Sequence, residues 1–288
     1  GCSNNCTYCA IPSIRGKYRS RRMEDIVKEA RWLAENGVTE LVVVAQDTTR
    51  YGEDIYGKSM LPELLTALCE IDGFKWIRTL YCYPERITDE LLDVIAKEDK
   101  LVKYLDMPIQ HCNRNILKRM NRHGDRETLT ALIKKIREKI PNVTLRTTLI
   151  TGFPGETEEQ FEELCEFVKE IRFERLGCFA YSPEEGTPAE KFEDQVPLKD
   201  RERRAEIIME EQMIISDSFN EAALDSEVEV VCEGFDRYAE CYYGRSQADA
   251  PEIDGKIFFL SEDKVRVGEY VKVKIDDTMD YDLIGSKM

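Results

Sequence analysis

The sequence predicts an α/β fold with a parallel sheet, followed by a small antiparallel β-barrel. Between residues 37 and 181, five apolar runs rich in β-branched residues alternate with amphipathic helical stretches, which is the pattern of βα units. After residue 226 the pattern changes to short strands separated by glycines. The βα units can form either an open doubly wound sheet or a barrel, but five strands do not support a complete eight-stranded barrel.

The elements can be placed in order along the chain. A helix with Ile26, Ala30 and Leu33 on one face stops at Gly37, and another begins with Thr157 and Gln160 in capping-box positions. A long helix follows Pro197 and runs to about residue 224. The predicted strands are 40–46, 76–83, 102–110, 143–152 and 173–181, and the terminal barrel is predicted to turn at Gly234, Gly244, Gly255 and Gly268. The predicted domains are therefore 1–197, a linking helix over 198–225, and 226–288.

Three cysteines near the start of the chain are the strongest chemical signal. Cys2, Cys6 and Cys9 have the spacing C-x3-C-x2-C, which supplies three thiolates, one fewer than a closed tetrahedral metal site needs. A disulfide framework is disfavoured because three is odd and a chain of 288 residues can bury a core unaided. Structural zinc would need a fourth ligand, and neither His111 nor His123 is near in sequence. A four-iron cluster with one open iron accounts for the missing ligand directly.

Composition limits the classes of partner. The chain is 42% hydrophobic and 34% charged with a net charge of −16, and it has no apolar run typical of a membrane span, so a cytoplasmic globular enzyme is expected. Nucleic-acid binders usually carry a basic surface, so this charge favours a basic protein partner or none. Residues 226–288 contain fifteen Asp and Glu against eight Lys and Arg, a net of −7. These carboxylates either recruit a basic partner or only keep the surface soluble.

With Tyr8 before its last cysteine, the GCSNNCTYC loop resembles that of the radical S-adenosylmethionine (SAM) superfamily. The resemblance implies a [4Fe-4S] cluster on Cys2, Cys6 and Cys9 whose open iron binds the amino and carboxylate groups of SAM. One electron then cleaves SAM to a 5′-deoxyadenosyl radical. It also implies a partial (βα)6 TIM-like barrel whose first strand precedes Gly1.

The carboxyl ends of the parallel strands are where further site residues are expected. The segment 152–157, GFPGET, is either an ordinary strand-to-helix turn or a close backbone approach to the SAM adenosine. His111 is expected to bond a loop backbone rather than to catalyse, with no obvious base opposite it. The basic run of Arg15, Lys17, Arg19, Arg21 and Arg22 is either a solvated face or part of a site that holds carboxylates. The candidate cofactor contacts are Tyr8, Gln46, Asp47, Gln110, Arg146 and Gly152.

Over nearly its whole length the chain resembles the methylthiotransferase branch of that superfamily. The matching segments are 46–52 (QDTTRYG), 107–122 (MPIQHCNRNILKRMNR), 151–157 (TGFPGET), 179–189 (FAYSPEEGTPA) and a terminal barrel similar to a TRAM domain. Asp47, the Gln110-His111-Cys112 run and the segment 244–255 (GRSQADAPEIDG) resemble the subfamily that modifies an aspartate of small-subunit ribosomal protein twelve. Arg245, Asp249, Glu252 and Asp254 are its candidate substrate contacts.

Two other functions stay open from the sequence. One is methylthiolation of a tRNA adenosine, and the other is a non-catalytic module in which the cysteines hold a structural metal. The resemblance also implies a second iron-sulfur cluster in an N-terminal methylthiotransferase domain, which nothing in this sequence supplies, and an external electron donor. Complete turnover by this chain alone is therefore not expected.

Overall fold

The computed structural model describes all 288 residues, and every one of the ten cysteines is free. None of its helices is both long and apolar enough to cross a membrane. The chain divides into two compact units, residues 1–211 and 212–288, with the division inside the last helix. Three 3₁₀ turns, Thr48–Arg50, Pro84–Arg86 and Pro188–Lys191, lie in the first unit. The helices are α1 (Ile11–Arg15), α2 (Met23–Glu35), α3 (Glu53–Tyr56), α4 (Leu61–Cys69), α5 (Asp89–Lys97), α6 (Arg114–Arg119), α7 (Arg126–Lys139), α8 (Glu158–Ile171) and α9 (Leu198–Ala222).

All five predicted parallel strands are present in the first unit. They are β1 (Glu40–Val43), β2 (Trp76–Thr79), β3 (Tyr104–Asp106), β4 (Thr144–Thr151) and β5 (Arg175–Ala180). The first two pair with each other, the last three form a second parallel sheet, and a bridge between Ile77 and Leu101 links the two sets. Most are shorter than predicted because the residues at their carboxyl ends leave the ladder and form the loops that carry polar side chains.

The predicted helices α2 and α8 are both present, and α8 shows the predicted capping residues. The α8 helix begins with a complete capping box, in which Thr157 accepts a bond from the Gln160 backbone and the Gln160 side chain accepts one from the Thr157 backbone. Its buried side chains are Phe161, Leu164, Phe167, Val168 and Ile171, which share one face at helical spacing. These helices cover the parallel strands and leave the loops at the strand ends free to build a site.

The predicted terminal barrel is confirmed. Strands β6 (Glu227–Asp236), β7 (Cys241–Arg245), β8 (Ile257–Leu260), β9 (Tyr270–Met279) and β10 (Asp282–Lys287) close in the order β10-β8-β7-β6-β9. The pair β8 and β10 is parallel and the others are antiparallel. Along β9 the buried Val271, Val273 and Ile275 alternate with exposed residues, which is the two-residue period of a strand with one face in the core.

Two of the predicted turn glycines lie inside strands instead, so that prediction is wrong for Gly234 and Gly244. Gly244 pairs with Cys232 within β7, and an added Cβ would lie 2.0 Å from the Val231 carbonyl oxygen. Gly234 lies at the bulge of β6, where an added Cβ would lie 2.4 Å from the Tyr243 hydroxyl. Both glycines serve close approach between strands rather than a turn.

The first prediction tests this close packing. Gly244→Ala should lower the free energy of unfolding by about 2 kcal/mol or more, because the new methyl group must displace strand backbone. The matched control is Gly177→Ala in β5, where the nearest atom to an added Cβ is 3.7 Å away. Urea unfolding of the 288-residue chain measures both variants. Equal stability of the two would contradict the close approach at Gly244.

Candidate functional site

The cysteine loop is held in place by the segment that follows α6. The Thr7 amide donates to the Met120 carbonyl at 3.0 Å, and the Thr7 hydroxyl donates to the Arg119 carbonyl at 2.7 Å. The Asn121 side chain donates to the carbonyls of Asn4 and Asn5. Because the loop itself has no helix or strand before residue 11, these long-range bonds fix the cysteine backbone.

A buried cation lies against the loop. The Arg122 guanidinium stacks 4.1 Å from the ring centroid of Tyr83 and donates to the Pro108 carbonyl at 2.8 Å. The Tyr83 hydroxyl is 3.6 Å from the Cys6 sulfur. Burial lowers the pKa of Arg122, yet the facing Tyr8, Tyr83 and Cys6 more than offset this and the net shift is upward. Sequence reasoning missed Arg122 and Tyr83 as site residues; the only signal for Arg122 was its place at the end of the 107–122 segment.

Tyr8 lies in the same buried environment. Its ring makes an edge contact with Phe153 at 6.4 Å between centroids. Burial, followed by the charge of Cys6, raises the pKa of its hydroxyl. It therefore stays a neutral hydroxyl beside the cysteine loop.

The donor set fits a thiolate-ligated cluster better than a single metal ion. Cys2 and Cys6 are buried and Cys9 is half-buried. Burial raises the pKa of Cys9, and Cys6 and Cys2 raise it further, so the three thiols lie within electrostatic range. No group of three Cys, His, Asp or Glu side chains is arranged in this structure to hold a single metal ion. Three free thiols near the buried Arg122 guanidinium are the donor type that holds an anionic iron-sulfur cluster.

Two of the predicted cofactor residues lie next to the cysteines. Asp47 accepts a bond from the Asn4 side chain at 2.8 Å, which ties the carboxyl end of β1 to the cysteine loop. Gln46 and Asp47 line a cavity of about 390 Å³ together with Cys2. The same cavity is lined by three members of the basic run, Arg15, Arg19 and Arg21.

The other predicted cofactor residues do not line this cavity. Gln110 is buried with a φ of 71°, and its backbone bonds to Thr148 and Ile150 of β4. Arg146 forms an ion pair with Asp106 at 2.8 Å. Gly152 has a φ of 67°, and an added Cβ there would lie 2.4 Å from the Arg201 side chain. Their contact with a cofactor stays a prediction.

His111 bonds a loop backbone, as expected, but a carboxylate does lie opposite it. Its Nδ1 accepts from the Asn113 amide at 2.9 Å, and its Nε2 has no hydrogen-bond partner and lies 3.7 Å from Glu156. The expectation of no facing base is therefore wrong. Glu156 is itself paired with Arg204 at 2.9 Å. Burial, followed by the charge of Arg204, lowers the pKa of His111 to about 3.

The candidate substrate residues of the barrel are mostly engaged within their own turn. Asp249 is buried and accepts from the Ser246 amide at 3.1 Å and hydroxyl at 2.7 Å, and Asp254 accepts from the Ala250 amide at 2.8 Å. Arg245 is paired with Glu233 at 2.6 Å. Glu252 is the exposed member of the set. A partner could therefore reach Glu252 most readily.

The seven remaining cysteines lie wholly or partly inside the fold. Cys69, Cys82, Cys112, Cys232 and Cys241 are buried, whereas Cys165 and Cys178 are half-buried. Burial raises the pKa of Cys82 to about 12 and that of Cys165 to about 11. These thiols stay protonated at neutral pH and are poor ligands.

Comparison with family models decides the superfamily. Residues 1–168 match the radical SAM superfamily, and residues 226–287 match the TRAM domain. The chain belongs to the radical SAM superfamily. The match begins with the cysteine loop and continues through β4 into α8, so it includes the bonds from residues 119–121 that hold that loop.

Curated relatives agree with this assignment. The chain is 53% identical over 285 residues to the ribosomal protein uS12 methylthiotransferase RimO of Clostridioides difficile (strain 630), covering 99% of the chain and 64% of the relative. It is 52% identical over 286 residues to the protein of the same name from Lachnoclostridium phytofermentans (strain ATCC 700394 / DSM 18823 / ISDg), covering 99% and 65%. The chain thus spans about 64% of the length of the curated relatives it matches.

Solved structures share the fold with this chain. Coproporphyrinogen III oxidase (HemN) from Escherichia coli aligns with a TM-score of 0.52 and 21% identity over 75% of this chain and 50% of that one. The radical SAM methyltransferase TsrM from Kitasatospora setae aligns with a TM-score of 0.51 and 18% identity over 64% of this chain and 36% of that one. At these identities the likeness concerns the fold.

The second prediction concerns His111. Because the pKa of His111 is about 3 in the folded chain and 6.5 for a free histidine side chain, its ring should stay neutral from pH 8 to pH 5. The unfolded chain takes up the proton first, so stability is full above pH 6.5 and falls as the pH is lowered, by about 1.4 kcal/mol per pH unit for this group. NMR titration of the His111 ring signal measures this directly. A midpoint near 6 would show that the ring is not buried as described.

Proposed function

We propose that this chain binds a [4Fe-4S] cluster through Cys2, Cys6 and Cys9 and SAM in the adjoining cavity. We further propose that it is the radical-generating part of an enzyme that adds a methylthio group to the β-carbon of an aspartate in ribosomal protein uS12. The observation that carries the proposal is the anchored loop of three free thiols beside a cavity, in a chain that is about half identical to proteins named RimO.

The required chemistry supports a radical enzyme. An aspartate β-carbon is not a nucleophile, so forming a carbon–sulfur bond there requires removal of a hydrogen atom, which acid–base side chains cannot do. When bound, the cluster and SAM supply a 5′-deoxyadenosyl radical. The protein must hold that chemistry away from water and position the substrate. The half-buried Tyr8 and the buried Tyr83 and Phe153 around the loop supply a largely apolar wall for this purpose.

Individual residues of the chain have roles in this proposal. Arg122 places a positive charge close to the cysteines. This charge would stabilise their thiolate form, which is the form that binds iron. Asn4 and Asp47 connect the loop to β1, so that Gln46 and Asp47 face the cofactor cavity. Tyr8, Gln110, Arg146 and Gly152 are proposed as further cofactor contacts at the strand ends.

Sulfur insertion requires more than this chain offers. We infer that a second iron-sulfur cluster, held by a separate N-terminal methylthiotransferase domain, takes part in supplying the methylthio group, and that an external protein donates electrons. The chain as described holds only one group of closely spaced cysteines. We therefore expect SAM cleavage by this chain, but not methylthiolation.

The charge of the barrel supports a protein substrate. Its net charge of −7 suits a strongly basic ribosomal protein through complementary steering, whereas a barrel that binds RNA phosphates should be basic. Methylthiolation of a tRNA adenosine remains the alternative within the family, and a structural metal module the alternative outside it. Arg245, Asp249, Glu252 and Asp254 belong to this proposed surface, with Glu252 the most accessible of them.

The third prediction tests the cluster. Replacing Cys2, Cys6 or Cys9 by Ala should abolish bound iron and SAM cleavage after anaerobic reconstitution, because two thiolates do not hold a cubane. Iron content, absorbance near 400 nm and 5′-deoxyadenosine formation measure the result. Cys165→Ala is the matched control, since this cysteine is also half-buried like Cys9 but lies in α8. Normal iron content in the loop variants would contradict the proposal, and iron without SAM cleavage in the unchanged chain would favour the structural metal module.

The fourth prediction separates the two substrates. Asp249 and Asp254 accept hydrogen bonds from Ser246 and Ala250 of the same turn, so charge reversal at these positions would disturb the fold. Glu240, Glu252 and Glu262 are exposed, and changing all three to Lys should weaken uS12 binding by slowing association, with a smaller effect at high salt.

The same triple variant should bind tRNA more tightly if the barrel contacts phosphates. Binding titrations with uS12 and with tRNA at low and high salt measure both. The Gln versions at the same three positions are the control for loss of charge without reversal. Stronger tRNA binding together with unchanged uS12 binding would support the tRNA enzyme instead.

A further inference from the structure

We infer that Arg15 and Arg19 form a carboxylate-binding pair that positions the acidic side chain of the substrate beside the cysteine loop. This inference rests on the proposed function and adds the residues that select an aspartate. Both arginines line the cavity that Cys2, Gln46 and Asp47 also line. The two guanidinium groups would thus bind the side chain of the aspartate that is modified.

The arginines are held over the cysteine loop by backbone bonds. The Cys2 amide donates to the Gly16 carbonyl at 3.1 Å, and the Tyr18 amide donates to the Ser3 hydroxyl at 3.2 Å. Gly1 lies so close to Lys17 that an added Cβ would be 2.2 Å from the Lys17 carbonyl oxygen. The segment that carries the two arginines is thus hydrogen-bonded to the cysteine loop, and these bonds fix its position relative to Cys2.

These two cations are uncompensated, unlike their neighbours in the same cavity. Arg21 is paired with Glu29, and Arg50 is paired with Glu53 at 3.0 Å. Arg15 and Arg19 make no ion pair or hydrogen bond with any other side chain in the structure. In a chain with a net charge of −16, two free guanidinium groups in the lining of one cavity are suited to bind an anion.

The acid in the cavity lining does not neutralise this pair. Asp47 is buried and is already engaged by Asn4 at 2.8 Å and approached by Arg86 at 3.7 Å. An incoming carboxylate therefore meets the two unpaired guanidinium groups of Arg15 and Arg19. No free carboxylate in the cavity lining competes with it. Guanidinium groups bind carboxylates with two parallel hydrogen bonds, which gives orientation as well as affinity.

The carboxylate has two possible sources, the substrate side chain and the methionine moiety of SAM. Arg15 and Arg19 are exposed whereas Cys2 is buried, so the pair lies on the solvent side of the cavity and Cys2 lies on its inner side. A side chain delivered on another protein arrives at the solvent side, and a small cofactor bound at the thiols lies further in. The arrangement favours the substrate carboxylate.

The test is a double-mutant cycle on binding, which needs no turnover. The Arg15→Ala/Arg19→Ala variant should weaken uS12 binding to the 288-residue chain about tenfold, the effect of losing a charge-assisted hydrogen bond. Changing the target aspartate of uS12 to Asn should weaken binding to the unchanged chain similarly. Both changes together should cost no more than either alone, because they remove the same contact. Fluorescence anisotropy measures the affinities, and equilibrium dialysis measures SAM binding to the reconstituted chain.

The matched control is Lys17→Ala/Arg22→Ala, which removes the same charge from the same basic run at positions that do not line the cavity. Arg15→Lys/Arg19→Lys should restore part of the affinity, since charge returns without the planar fork. Equal weakening by the control pair, or additive effects in the cycle, would overturn the inference. Loss of SAM binding with unchanged uS12 binding would also overturn it and assign the pair to the cofactor. If the unchanged chain does not bind uS12 at all, the proposed function itself fails.

Discussion

The rest of the site depends on one buried guanidinium, that of Arg122. It lies against the Tyr83 ring and within electrostatic reach of Cys6 and Tyr8. A buried cation without a carboxylate partner is costly unless anions or π faces surround it. Tyrosine hydroxyls and a thiol are weak substitutes as long as they stay neutral. In the proposed function, a Cys6 thiolate bound to iron would provide the missing negative charge beside this guanidinium.

Hydrogen bonds to distant parts of the chain hold the cysteine loop in one conformation. A nine-residue loop with no helix or strand before residue 11 would sample many conformations, and ordering it would cost conformational entropy at each residue. The Thr7 amide and hydroxyl bond to the carbonyls of residues 119–120, and the Asn121 side chain bonds to the loop from the same side. The bond from Cys2 to Gly16 holds it from the other. The thiols are thus positioned by a segment more than a hundred residues away in sequence.

Prediction from sequence succeeded where the signal is local. The parallel strands and α8 follow from apolar periodicity and from the Thr157 cap, both of which depend on residues within a few positions of each other. It failed where the cause lies in tertiary structure. Gly244 was assigned to a turn because glycine is common in turns, yet it is required by the Val231 carbonyl on the neighbouring strand. The approach of Glu156 to His111 and of Tyr83 to Cys6 joins residues 45 and 77 positions apart, and no local pattern reports such pairs.

Contacts within the protein account for the geometry of the GFPGET segment. The amides of Gly152 and Phe153 both donate to the Glu156 side chain, at 2.9 and 3.4 Å. The space where a side chain at Gly152 would lie is filled by Arg201.

At the other glycine of the motif, Gly155, an added Cβ would lie 2.5 Å from the Asp194 side chain. Each glycine in this turn is therefore explained by a protein neighbour, and all five backbone amides of the segment are already bonded. Glu156 in turn is held by Arg204, so the turn is fixed to the N-terminal half of α9. A cofactor that approaches this turn would meet a rigid, internally satisfied backbone, and its affinity would have to come from the strand ends and from the cysteine loop.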